Sequence, residues 1–128
     1  YSDTTSVIFL EESLHGDKLK TARRLFTKKI ITSLPDVIIT SNDLIAQGII
    51  SAAHENGINI PNDMQITGFD DLLSSAYFIP SVTTVSQNID ELAKRCFSML
   101  MDLINKKSSV SSIIEQNIIA RNSAKINI

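Results

Sequence analysis

The stretch "PDVIITSNDLIAQGIISAAHENGINIPNDMQITGFDD", residues 35–71, decides the fold class because two sequence periods alternate within it. A β-branched apolar run at 37–40 is typical of a strand. Apolar residues then recur with helical spacing over 44–55, and the following Asn-Gly predicts the end of the helix, with Gly57 in the left-handed position. A second apolar run at 64–69 predicts another strand. This order predicts two parallel strands joined by a helix.

The same alternation continues on both sides of this unit. Before it, "VIFL" at 7–10 predicts a strand, and residues 17–31 have helical spacing. The elements predicted after it are a loop at 70–80, a short strand at 83–85, a helix from Asn88, and a last strand within 113–120. The predicted fold class is therefore α/β, with a parallel sheet flanked by helices. Both "VIFL" and "VIIT" are apolar enough for strands buried on both faces.

The predicted helix after Asn88 has one continuous apolar stripe from Ile89 to Ile104. Asn88 is a favourable N-cap residue, and Glu91 three residues later completes a capping-box pattern. Cys96 lies in the stripe and is predicted to be a buried small hydrophobic residue. It is the only cysteine, so no disulfide can form within the chain.

Composition excludes some functions and leaves others open. The 128 residues carry a net charge of −2, which argues against a nucleic-acid surface within this chain. No apolar run approaches the length of a membrane span, and no signal peptide opens the chain. The chain begins with Tyr1 close to a predicted strand, so we expect it to be a fragment of a longer protein. His15 and His54 lie far apart, and we expect neither a metal site nor a cofactor.

Three polar clusters follow predicted strands and are expected to meet at one edge of the sheet. They are "EES" at 11–13, "SND" at 41–43 and "DD" at 70–71. Ligands of such sheets bind beyond the carboxyl ends of the strands. Each cluster also has a local explanation: solvated glutamates, helix capping or a turn. The chain has neither a glycine-rich phosphate loop nor a GxSxG motif, so an enzyme of the doubly wound class is the weaker alternative.

The helix at 44–55 is apolar over most of its circumference, although a surface helix needs only one apolar stripe. A second apolar face requires a second cover. A partner subunit would provide it, and so would burial inside a larger parent protein. The sequence leaves both explanations open.

Residues 35–104 resemble the effector-binding domain of the LacI/GalR family of transcription regulators. The matching elements are "SND" at a helix start, "NGINIPND", "ITGFDD" and "IPSVTTVSQNIDELA", in the family's order and spacing. The tail "IIEQNIIARNSAK" resembles the family's last strand. Before Pro35 only the pattern of strand and helix matches.

The resemblance implies a two-lobed fold like that of the periplasmic sugar-binding proteins. Residues 1–82 and 113–128 would form the C-terminal lobe, and 83–112 would be a crossover strand, helix and loop belonging to the N-terminal lobe. The DNA-binding headpiece is absent from this chain. The implied protein is a cytoplasmic homodimeric repressor and not an enzyme. It would bind a small effector, a sugar or a nucleobase-like molecule, and contact operator DNA through the headpiece alone. A sugar-binding protein of a transporter is the alternative that shares the fold.

The resemblance also assigns roles to individual residues. Asp70 matches a cleft residue that accepts hydrogen bonds from effector, Asn42 lies at the cleft edge, and Asp43 supports the loop. Asp71 is predicted to bond backbone amides before Leu72 in an Asx-type turn. The further ligand-binding candidates are Gln87 and Ile89 near the crossover, with Ser13 or His15 where the family often has an aromatic ring. The expected dimer contacts are Ile45, Ile49, Ala52 and Phe78.

Overall fold

The computed structural model describes residues 17–108 and 110–125, so the strand predicted at 7–10 lies outside the described residues. The helices are α1 (Lys18–Lys28), α2 (Asp43–Glu55), α3 (Leu73–Tyr77) and α4 (Ile89–Ile104), with a 3₁₀ turn at Ile30–Thr32. The strands are β1 (Val37–Ile39), β2 (Gln65–Thr67), β3 (Thr84–Ser86) and β4 (Asn117–Ile119). The helix α3 corrects the prediction of a plain loop at 70–80.

The predicted parallel unit is confirmed. β1 pairs with β2 in parallel, with Val37 opposite Gln65. α2 connects them, and it ends as the sequence indicates: Gly57 has a φ of 73°, and the amides of Gly57 and Ile58 donate to the carbonyls of His54 and Ala53. These two bonds satisfy carbonyl groups at the helix end that would otherwise lack partners.

The chain after β2 extends the sheet. The Gly68 amide donates to the Thr83 carbonyl (2.8 Å) and the Asp70 amide donates to the Val85 carbonyl (3.0 Å), so β3 lies beside the end of β2. β3 then pairs with β4 in antiparallel orientation. The antiparallel β3–β4 pair is an addition to the parallel sheet that the alternation predicts.

α1 packs closely along α2, and Gly48 makes this possible. A Cβ atom at Gly48 would lie 2.6 Å from the Leu19 carbonyl oxygen and 2.9 Å from the Ala22 Cβ. The core lies between these helices and the β1–β2 pair; its largest fully buried apolar side chains are Phe26, Ile49, Ile50, Met64, Ile66 and Val82.

The burial of α2 corrects the predicted dimer contacts. Ile49 and Ala52 are 0% and 1% exposed because they face the chain's own core, so they are not available to a partner. Ile45 and Phe78 are partly buried against that core and keep some exposed surface. The second cover that this helix requires is therefore provided by α1 within the same chain.

The prediction that "VIIT" is buried on both faces is wrong for β1. Ile38 packs against the core, whereas Val37 and Ile39 are exposed, Ile39 by 83%. Alternate side chains of a strand point to opposite faces, and the described helices cover only the face of Ile38.

Two predictions for α4 are also wrong. Asn88 has a φ of 52° and its side chain makes no capping hydrogen bond, so the predicted capping box is not formed. Cys96 is exposed and not buried as predicted. No other residue of α4 is buried within the described part of the chain either.

Candidate functional site

Asp70 and Asp71 follow β2 in backbone conformations that side-chain-bearing residues seldom adopt. Their φ values are 108° and 52°. Each such conformation costs about 1–3 kcal/mol of folding free energy and persists only where surrounding contacts hold the residue in place. The turn therefore depends on its hydrogen bonds to neighbouring elements.

The side chain of Asp70 is held from the segment after β3. Its Oδ1 accepts a hydrogen bond from Gln87 Nε2 at 2.6 Å, and its backbone amide donates to the Val85 carbonyl. Asp70 and Gln87 are both half-buried. One carboxylate oxygen is thus engaged, while the group can accept further hydrogen bonds through its remaining lone pairs.

Asp71 has a different partner from the one predicted. Its Oδ1 accepts from Arg121 Nη2 at 2.6 Å, and the two side chains are 26% and 18% exposed. The Leu72 amide, which the Asx turn would use, donates instead to Asp43. The predicted Asx turn is therefore wrong: the adjacent aspartates do have separate roles, but Asp71 forms an ion pair.

Arg121 also fixes the chain around this ion pair. Its Nη1 donates to the Val82 carbonyl (2.9 Å), and its backbone amide donates to Thr83 Oγ1 (2.9 Å). The residue thus joins the end of the chain to the start of β3 and to the aspartate turn.

An open recess of about 240 Å³ lies against the aspartate turn. Its lining residues are Asp70, Asp71, Ser86, Asn88, Ile89 and Asp90. Carboxylate, hydroxyl and amide groups dominate this surface, and Ile89 contributes an exposed apolar side chain. Such a surface can accept hydrogen bonds from several ligand hydroxyl groups and disfavours a ligand that is itself negative.

Asn42 and Asp43 are both buried at the start of α2. Asn42 Oδ1 accepts from the Ile45 amide (3.0 Å), so the residue is the N-cap, and it does not line the recess. Asp43 accepts hydrogen bonds from the Leu72 amide, Ser75 and Thr84, so it supports the loop as expected.

The structure thus brings together three of the predicted ligand residues. Asp70 and Ile89 line the recess, and Gln87 holds Asp70. Ser13 and His15 lie outside the described residues.

Arg121, Ser86, Asn88 and Asp90 were not predicted to be site residues. Arg121 pairs with a residue 50 positions away, which no local pattern indicates. A weaker signal was available for Ser86: strand ends gather at one edge of a sheet, and Ser86 ends β3. In the described part of the chain, no cluster of His, Cys, Asp and Glu could hold a metal ion. Within those same ranges, the helices are too short or too polar to span a bilayer.

Comparison with known proteins identifies the fold family. The model of the periplasmic binding protein-like domain matches residues 5–124. The sequence is 35% identical over 95 residues to the HTH-type transcriptional repressor PurR of Pasteurella multocida, covering 73% of this chain and 28% of that protein. The chain therefore spans less than a third of the length of this relative.

Two solved structures have the same fold. The periplasmic binding ribose operon repressor protein of Lactobacillus acidophilus is 31% identical, with a TM-score of 0.78 over 91% of this chain and 44% of its own. A LacI family transcriptional regulator of Enterococcus faecium, solved with bound ribose, is 25% identical, with a TM-score of 0.75 over 83% and 40%. These named relatives are transcription regulators and not enzymes. The chain belongs to the periplasmic binding protein-like domain family, and its sequence and fold are similar to those of LacI-type transcription regulators.

Proposed function

We propose that this chain senses a small neutral polyhydroxylated molecule, a sugar, for a LacI/GalR-type transcriptional repressor. The sugar binds in the interlobe cleft, of which the recess beside Asp70 is the part present here. Binding changes the operator affinity of a cytoplasmic, dimeric parent protein that contacts DNA through a separate N-terminal headpiece.

The observation that carries this proposal is the geometry of Asp70. Gln87 Nε2 donates to Asp70 Oδ1 at 2.6 Å. Asp70 lines an open recess together with two more aspartates, Asp71 and Asp90. A carboxylate accepts hydrogen bonds from two or more hydroxyl groups at once, and charge-assisted bonds of this kind contribute about 1.5–3 kcal/mol. A neutral ligand rich in hydroxyl donors therefore fits this surface best.

Two of the relatives, both solved structures, support a sugar effector. The Lactobacillus acidophilus protein is a ribose operon repressor, and the Enterococcus faecium regulator was solved with ribose. D-ribose is accordingly the first ligand to test. A nucleobase such as hypoxanthine tests the remaining effector class, and ribose 5-phosphate tests whether negative charge is rejected.

Titration calorimetry on the full-length parent protein tests the site. With the sugar that binds, Asp70→Asn should weaken affinity tenfold or more, or about 1.4 kcal/mol. The matched control is Asp36→Asn, an exposed aspartate that precedes β1. If Asp70→Asn and Asp36→Asn bind the sugar with equal affinity, Asp70 does not contact the ligand. If the protein binds hypoxanthine but no sugar, the proposed ligand class is wrong.

A dimerisation surface is the second part of the proposal. Leu44, Leu73, Tyr77 and Ile79 expose large apolar side chains around the start of α2 and along α3. Gln47 ties these elements together because it donates to Ser74 and Ser75. A second copy of the chain is the expected occupant. These four residues, with Ile45 and Phe78, replace the buried Ile49 and Ala52 as the proposed contacts.

The division of the chain between two lobes is also proposed. The weak attachment of α4 supports it, since α4 buries no residue against the described remainder. The predicted boundary at residue 83 is too early, because β3 lies beside β2 and pairs with β4. The part of 83–112 that follows β3 would then belong to the N-terminal lobe, with 1–82, β3 and 113–128 in the C-terminal lobe.

A further inference from the structure

Asp43 is a fully buried carboxylate that does not line the recess. Its Oδ2 accepts from the Leu72 amide (2.8 Å) and from Ser75 Oγ (2.6 Å), and its Oδ1 accepts from Thr84 Oγ1 (2.5 Å). A buried carboxylate persists only when it is hydrogen-bonded in this way. These three donors belong to the aspartate turn, α3 and β3.

Gly68 leaves the space that Asp43 occupies. A Cβ atom on Gly68 would lie 2.1 Å from Asp43 Oδ1, closer than any side chain tolerates. The φ of Gly68 is not in the left-handed region, so its requirement for glycine comes from this close approach and not from backbone conformation.

The bonds of Asp43 lie on both sides of the two strained residues, because its amide donates to the Phe69 carbonyl (2.9 Å) and its side chain accepts from the Leu72 amide. Leu72 follows Asp71 directly, and Thr84 Oγ1 accepts a long hydrogen bond from the Asp71 amide (3.4 Å) while it donates to Asp43. Asp43 thus fixes the end of the turn, and β3 fixes its start through the amide of Asp70. Residues with positive φ need such external contacts to stay in place.

We infer that Asp43 is a positioning residue for the ligand site: it holds the aspartate turn in the conformation that presents Asp70 to the recess. The contribution to ligand affinity rests on the proposed function, whereas the contribution to the turn does not. The inference also connects the start of α2, where the proposed dimer surface lies, to the ligand site through a single buried group.

The test compares threonine variants, because removal of a buried carboxylate can prevent folding. Thr84→Val deletes the hydroxyl that donates to Asp43 and accepts from the Asp71 amide, and Thr84→Ser restores both bonds. Ser75→Ala deletes a second donor to Asp43 without removing a bond to Asp70 or Asp71, so it should change the turn in the same direction as Thr84→Val if Asp43 holds it. Thr40→Val is the matched control: Thr40 is buried, and its hydroxyl contacts the backbone carbonyls of residues 42 and 67. Asp43→Ala is added if it folds.

Two measurements are made on each full-length variant. Amide hydrogen exchange by NMR follows Asp70, whose acceptor, the Val85 carbonyl, is unchanged in every variant. We expect Thr84→Val to accelerate its exchange tenfold or more over Thr40→Val, with the rate restored in Thr84→Ser. Titration with D-ribose should show affinity falling at least fivefold in Thr84→Val and recovering in Thr84→Ser.

Each outcome decides between structural and positioning roles. If Thr84→Val and Thr40→Val lose similar stability and give equal exchange at Asp70, Asp43 has no special hold on the turn and the inference fails. Faster exchange with unchanged ribose affinity overturns the role in ligand binding. If the unmodified protein does not bind D-ribose, ribose is excluded as its ligand, while the exchange comparison still decides whether Asp43 holds the turn.

Discussion

α2 and α4 are helices of similar length with extensive apolar surface, yet α2 is buried and α4 is exposed. α2 buries eight residues within the described fold, including Ile49, Ile50 and Ala53 of the apolar core. α4 buries none, and its stripe remains exposed at Ile89, Leu92, Phe97, Leu100, Met101, Leu103 and Ile104.

The contrast separates two kinds of information in a sequence. Apolar periodicity indicates that a helix has a face to bury, but not what will cover that face. For α2 the cover comes from the same chain, so its packing stabilises this chain directly. For α4 it must come from elsewhere, in agreement with the proposal that α4 belongs to another lobe.

The largest expected difference between the two regions concerns their phenylalanines. Phe26 is 0% exposed in α1, against α2, and Phe97 is 66% exposed in α4. Phe26→Ala should cost about 3–5 kcal/mol of unfolding free energy through the lost contacts and the cavity. Phe97→Ala should cost less than about 0.5 kcal/mol. Urea unfolding measures both in chains that also carry Leu100→Glu, a substitution in the exposed stripe that weakens contacts between α4 helices of different chains. A large loss in Phe97→Ala would then mean that α4 is covered within its own chain.

Self-association provides the second test of the contrast. Burial of a large apolar side chain contributes about 1.5–3 kcal/mol, so the α4 stripe and the proposed dimer surface should both favour contacts between chains. We expect sedimentation velocity at micromolar concentration to show species beyond the dimer. Leu100→Glu should reduce them to dimers by weakening α4 contacts tenfold or more, about 1.4 kcal/mol.

Adding Ile79→Glu to Leu100→Glu should then give a monomer, because Ile79 is exposed on the proposed dimer surface. Lys94→Glu, an exposed substitution on α4 outside the apolar stripe, is the control for added negative charge. An unmodified chain that sediments as a monomer would contradict both surfaces.

The smallest difference concerns the helix starts. Asn42 caps α2 through the Ile45 amide, whereas Asn88 before α4 has positive φ and no side-chain cap bond. Asn42→Ala should therefore cost about 1 kcal/mol. Asn88→Gly should change stability by less than about 0.5 kcal/mol, because glycine adopts positive φ freely and no cap is lost. Thermal unfolding of both variants measures this. A substantial loss of stability in Asn88→Gly would mean that the Asn88 side chain caps α4 as the sequence predicted.

Features with local causes were predictable from the sequence. The strand and helix periods and the end of α2 at Asn56-Gly57 depend on neighbouring residues, and the order strand, helix, strand then predicted the parallel β1–β2 pair. The site was predictable in part: Asp70, Gln87 and Ile89 were chosen by resemblance, and the structure places them around one recess.

Features with distant causes were not predictable. The burial of Ile49 and Ala52 depends on α1, and the exposure of Ile39 depends on which face of the sheet the helices cover. The partner of Asp71 lies 50 residues along the chain, where no turn pattern indicates it. In each case a contact between separate elements overrode a pattern that was correctly recognised locally.

The bonds of Arg121 give the end of the chain an importance that its position does not suggest. Through its backbone and guanidinium it reaches Thr83, Val82 and Asp71. A premature stop codon after Ala120 would leave every helix and strand of the described fold encoded. It would nonetheless leave Asp71 without its cation and loosen β3 beside the recess. The side chain of Arg121 therefore matters to the lining of the recess, although Arg121 belongs to no helix or strand.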